Sequence, residues 1–254
     1  MQIPPADIDW FAETFNQASG RILEAWDDNG LEQSSNEPDP EMLCGAIRQL
    51  TDLLKSRFNG GVMATAETHQ PAVMEADISE LGDYGLNILS DLSLISADLG
   101  IVDENNTWEL LAVSLARWLG ANGAELHSLD LVVNGFSFLA NRSTDIKALE
   151  SLFMAMGEIT EAMVPVGDPV HEGDMKYPEA GAMLLLNRGI VATRIHSPHL
   201  MESAFTDIAE LIPEMAPRFF QEGLEQIDLI NYPPQVRVVI QRFARDWPEE
   251  RVLH

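Results

Sequence analysis

Apolar residues recur along this chain at three- and four-residue spacing, the period of a helix that buries one face. Between residues 7 and 28, Ile8, Phe11, Phe15, Ala18, Ile22 and Ala25 fall on one stripe, with Gly30 placed to stop it. Asp39 and Pro40 supply a cap and a first helical residue for a second stripe: Leu43, Ala46, Ile47, Leu50, Leu53 and Leu54, ending at Gly60 and Gly61. A third stripe carries Ile78, Leu81, Ile88, Leu92, Ile95 and Leu99, and its Asp77 and Glu80 stand at capping-box spacing.

Residues 107–164 hold the densest part of the pattern, three helices joined by short turns. The spacing predicts one capped by Asn106 and running through Trp108, Leu111 and Leu115 to a turn at 120–123. A second begins near Leu126 and carries Leu129, Val132, Val133, Phe136 and Leu139; a third, capped by Ser143, carries Ile146, Leu149, Leu152, Met156, Ile159 and Met163. Four more signals follow at 180–195, 198–211, 213–230 and 234–247, and three of them begin at proline, which suits a first helical turn.

No stretch alternates with period two between hairpin turns, so the expected class is all-α, built of antiparallel helix pairs as an α-solenoid or an irregular bundle. Helical groups at 1–61, 75–164 and 178–254 are expected to form one continuous unit with loops at 62–74 and 165–177. Gly45, Gly82, Gly85, Gly135, Gly157, Gly189 and Gly223 fall inside the predicted helices. Each costs roughly 1 kcal/mol against alanine, and close approach of neighbouring helices is the expected compensation.

Trp108, Leu111, Ala112 and Leu115, followed by Ala124, resemble the first helix and the small second-helix position of a tetratricopeptide-type repeat. Predicted helix starts about 37 residues apart, and again about 36 apart, lie near the period of such helix pairs. The resemblance implies a solenoid whose curved face binds a peptide or another protein.

Charge narrows the partners. With 41 acidic and 15 basic residues the formal net charge is -26, which repels phosphate backbones and anionic lipid, so neither nucleic acid nor membrane is expected. The acidity serves solubility or, on the sharper reading, a basic protein or peptide partner. The start MQIPPADIDWF lacks the basic and apolar regions of a signal peptide, and no apolar run approaches bilayer length; a cytoplasmic chain is expected. The single cysteine, Cys44, has no internal disulfide partner and sits in an apolar pattern that predicts burial.

Candidate chemistry is sparse. His196, His199 and Glu202 form the one close His-x-x-His-x-x-Glu set, which on an unbroken helix would share a face and could ligate a metal, although Ser197-Pro198 interrupts it. Loop residues His171 and Glu172, with Asp174, Lys176 and Tyr177 beside them, could complete such a site in a metal-binding helical enzyme. Asp103, Asn105 and Thr107 begin like a calcium loop, but Trp108 stands where glycine is needed. The chain has no phosphate-binding glycine loop, dinucleotide fingerprint, serine elbow or zinc-protease motif, and no cofactor is expected.

On the last helix Arg237, Arg242 and Arg245 share a side opposite Val236, Val239, Ile240, Phe243 and Trp247, a basic face suited to docking within the chain or on a second copy as a homodimer. The leading expectation is a non-catalytic acidic helical protein that presents a protein or peptide interaction surface. The alternative is the metal-binding bundle. Only Lys55, Lys147 and Lys176 are lysines, and such acid excess with few lysines suits a saline interior. Added salt should then raise the thermal midpoint by screening the acids; a midpoint unchanged from about 0.1 to about 1 M salt would count against that reading.

Overall fold

The computed structural model describes residues 2–29, 39–58, 77–103, 105–165, 177–227 and 229–248. The expected stops at Gly30, Gly60 and Gly61, the loop at 62–74 and all of the loop at 165–177 except its end residues lie outside them. Among the described residues there are ten helices and no strand, so the protein is all-α. By its contacts the chain divides into two compact units, Pro4–Gly135 and Phe136–His254 with Met1–Ile3.

The first unit starts with α1 (Ile8–Asn29), where the Asp7 carboxylate accepts from the backbone N–H of Asp9 and Trp10. Asp39 does the same for Glu41 at the head of α2 (Pro40–Phe58), and Asp77 for Ser79 at the head of α3 (Ile78–Asp98). At α4 (Thr107–Ala121) the expected cap fails. Asn106 is left-handed (φ 50) with no capping bond, and Asp103 instead accepts from both the N–H and the hydroxyl of Thr107.

Contacts run from α1 to α2, α2 to α3, α3 to α4 and α4 back to α1, a closed cycle of four helices. Lys55 of α2 pairs with Asp9 of α1 at 2.6 Å while Arg48 reaches Asn16 and Ser19, so these helices are antiparallel. The same opposed order relates α3 to α4, where Gly82 faces Leu119 and Gly85 faces Leu115. Trp108 meets the Phe15 ring edge-on at 6.3 Å, and at the other end of α4 Ser114 and Arg117 donate to the carbonyls of Pro5 and Pro4. The result is an up-down-up-down bundle filled by Phe11, Phe15, Ile22, Leu54, Leu89, Leu92, Leu111 and Leu115. Cys44 is sealed in this core, and burial, more than the opposing Arg48 and reinforcing Asp39 charges, raises its thiol pKa above the ordinary value.

After α4 the periodic pattern misleads. Leu126 and Leu129 are buried, but the helix, α5, spans Asp130–Arg142. The backbone N–H groups of His127 and Ser128 are held by the Asp83 carboxylate of α3, and that of Glu125 by Ser79. A segment whose amides are pinned to another helix has no reason to coil.

In the second unit come α6 (Ile146–Ala162), α7 (Glu179–Ile195), α8 (Pro198–Leu211), α9 (Ala216–Ile227) and α10 (Pro234–Asp246). Ser143 does not cap α6; its hydroxyl bonds back to Leu139, and Asp145 accepts from Ala148 instead. α9 starts three residues later than the proline signal at 213 suggests, whereas α8 and α10 do begin at Pro198 and Pro234. α7 packs on α6 and α8, and α10 on α8 and α9.

Glycines divide by what surrounds them. A Cβ at Gly135 would lie 2.7 Å from the Glu109 carbonyl oxygen, a backbone atom that cannot step aside, whereas a Cβ at Gly45 would meet nothing within 4 Å. Gly135→Ala should therefore cost about 1–3 kcal/mol by overpacking, and Gly45→Ala should gain up to about 1 kcal/mol from helix propensity. Urea denaturation midpoints of the two variants, moving in opposite directions, check both.

Candidate functional site: a cleft in the C-terminal unit

α7 is apolar on most of its circumference: Ala180, Ala182, Leu184, Leu185, Val191, Ala192 and Ile195 are all buried. Polar contacts fix its rotation. Arg188 forms an ion pair with Asp207 of α8, lies 4.1 Å above the Phe153 ring of α6 and occupies the space left open at Gly157. Its Nε–H is buried without a partner. Six residues on, Arg194 donates through both terminal nitrogens to the carbonyls of Ala140 (2.7 Å) and Ser143 (2.6 Å) at the end of α5, and Asn187 donates to the Ser137 hydroxyl at 3.0 Å.

The remaining face of α7 opens on a cleft of about 310 Å³. Met183, Leu186, Asn187, Ile190, Thr193 and Arg194 form the α7 wall. Opposite stand Phe205 of α8, Phe219, Phe220, Glu222, Gly223 and Gln226 of α9, Tyr232 of the following turn and Ile240 of α10. The aromatic wall belongs to a cluster in which Phe205, Phe219, Phe220 and Phe243 approach with centroid separations from 5.1 to 5.7 Å, binding α8, α9 and α10 together. Interlocked rings of this kind hold their rotamers, so the cleft is shaped in advance. Its size falls at the lower end of small-ligand pockets, and its lining of apolar side chains with a few polar groups is the usual chemistry of such sites.

The cleft is not sealed. Met183 and Ile190 remain 40% and 49% exposed, and Ile230, next to the Tyr232 turn, 44%. At one end the Tyr232 ring lies edge-on to His196 at 6.0 Å, and burial raises the Tyr232 phenol above its ordinary value, so at neutral pH it remains a hydrogen-bond donor.

The sequence candidates are placed differently. His196 ends α7 in a left-handed conformation (φ 61), Ser197 is extended, and His199 lies in the first turn of α8, so the break at Ser197-Pro198 occurs as expected. Glu202 pairs with Arg242 at 3.1 Å. Among the described residues no group of three or more His, Cys, Asp or Glu side chains is arranged to hold a metal ion. Tyr177 is buried ahead of α7, and His171, Glu172, Asp174 and Lys176 lie outside the described residues.

The arginine face of α10 is used within the unit. Arg237 donates to the Tyr232 carbonyl and the Asn231 side chain, Arg242 reaches Glu202 of α8, and Arg245 pairs with the adjacent Asp246. These are exposed contacts worth little individually, but Arg237 braces the turn that carries Tyr232 into the cleft.

No family model, curated protein or solved structure matches the chain. Among the described residues no helix is long and apolar enough to cross a membrane.

Arg188 carries the sharpest energetic consequence of this geometry. Asp207→Ala would leave its guanidinium, 11% exposed, without a counter-ion. Breaking such a pair from one side costs about 3–5 kcal/mol when both partners are fully buried; the partial exposure of Asp207 places this case near 3 kcal/mol. Chemical denaturation checks it, and Arg188→Met with Asp207→Ala should recover much of the loss.

Proposed function

We propose that this chain is a non-catalytic binding protein, an acidic helical scaffold that takes an apolar element of a protein or peptide partner into the cleft beside α7. The observation that carries this reading is the cleft itself: an open, preformed concavity with largely apolar walls and exposed Met183 and Ile190 at its margin. Apolar side chains left at the mouth of a concavity are an unfavourable use of surface unless something covers them. The overall charge supports a basic character in the partner outside the element that enters the cleft, and disfavours polyanions. The tetratricopeptide-type resemblance at Trp108 to Ala124 would imply the same class of activity, but its residues lie in a closed four-helix cycle with Ala124 ahead of α5, so the proposal rests on the cleft.

Covering one large aliphatic anchor contributes about 1.5–3 kcal/mol, or roughly 10- to 100-fold in affinity. Ile190→Asp should therefore reduce capture of the partner from native lysate by at least about tenfold, since it places a charge at the mouth without disturbing a buried position. Val238→Asp, at a more exposed apolar position on α10 that does not line the cleft, should leave capture unchanged. If both variants recover the same proteins as the wild type, the cleft is not the recognition surface.

A further inference from the structure

The cleft has two unlike ends. Along α7, Met183 and Arg194 stand eleven residues apart, which at the helical rise is about 16 Å. At the far end α7 contributes Met183 and Leu186, both apolar. At the Arg194 end, Thr193 already spends its hydroxyl on the Gly189 carbonyl, which leaves Arg194 and Tyr232 as the strong donors.

Arg194 uses two N–H groups on the Ala140 and Ser143 carbonyls out of the five that a guanidinium carries. Those carbonyls hold the side chain in place and offset part of its charge. Among the described residues, however, no carboxylate pairs with Arg194, whereas Arg188, Arg218, Arg242 and Arg245 each have one. The Tyr232 hydroxyl likewise has no hydrogen-bond partner among the described residues, although its backbone N–H and carbonyl are both engaged. Two donors without acceptors, one of them cationic, thus line one end of the cleft, whose other polar lining is Asn187, engaged with Ser137, Glu222, paired with Arg218, and Gln226.

We infer that the cleft takes an apolar chain terminated by a carboxylate, the chain lying along α7 toward Met183 and the carboxylate meeting Arg194 and Tyr232. This rests on the reading of the cleft as a binding site and adds the polarity and sign of what it binds. A cationic head would face Arg194 directly, and an uncharged one would forgo the charge-assisted bond that makes an arginine contact strong. The carboxylate is that of a partner chain's C-terminus, in line with the reading of the cleft as a protein- or peptide-binding site; a free aliphatic acid presents the same group and is the other outcome of the test.

Calorimetric titration of the full chain with octanoate, 1-octanol and octylamine tests this. Octanoate should bind at least about tenfold more tightly than octanol, and octylamine more weakly than either. Arg194→Gln should bring octanoate to the level of octanol. Because that change also removes two bonds to α5, its helicity is checked by circular dichroism; Tyr232→Phe, which keeps the ring, should weaken octanoate about threefold and leave octanol unchanged.

A short peptide ending in Leu-Phe, as free acid and as amide, assigns the source. A larger acid-over-amide preference than the acid-over-alcohol one supports the chain end; the reverse overturns it in favour of a free acid. Equal binding of octanoate and octanol, both lost in Ile190→Asp, would overturn the carboxylate and leave the cleft intact as an apolar receptor. Binding of none of the three ligands, with no preference between the peptides, would overturn the inference and remove support from the cleft as well.

Discussion

A helix that is apolar nearly all round cannot be oriented by the hydrophobic effect, because burial rewards area and has no direction. α7 is such a helix, and the second unit depends on the polar contacts that stop it from turning. Arg188 fixes it against α6 and α8, and Arg194 with Asn187 fixes it against the end of α5. With those in place, the stripe from Met183 to Arg194 is left facing the aromatic cluster rather than packed into it. The cleft is what remains when α7 is held by its charges on two sides.

Helices with a strong local start and one apolar face were legible in the sequence. α8 runs over the 198–211 signal because Pro198 supplies its first turn, and α1 and α2 follow their stripes from the caps Asp7 and Asp39. The errors arise where a backbone amide is satisfied from a distance. Leu126 and Leu129 keep helical spacing, yet their segment is held by Asp83 and Ser79 of a helix over forty residues earlier. At Thr107 and Ala148 the carboxylates of Asp103 and Asp145 displaced the expected caps Asn106 and Ser143, because a charged acceptor bonds an amide more strongly than a neutral one.

The site was less legible, since its walls come from four helices and a turn whose residues lie far apart in the chain. The pairing of Arg188 with Asp207 left only an indirect trace, a glycine at 157 inside a helix where alanine would be preferred. Charge also reads differently once partitioned. Residues 4–135 carry 23 acidic and 5 basic side chains, residues 136–254 carry 18 and 10, so the acid excess belongs mainly to the four-helix bundle and the arginines to the unit with the cleft. A single net charge conceals that asymmetry.

The sealed thiol in the first unit has a practical corollary. Cys44 is the chain's only cysteine, fully buried and held in its protonated form, so it is a poor nucleophile toward reagents that attack surface thiols. A cysteine introduced at Gln226, exposed on the wall opposite α7, would then react alone, without any background to engineer away. A fluorophore or spin label attached there would report from the mouth of the cleft itself, making occupancy an optical or magnetic signal in the otherwise native protein.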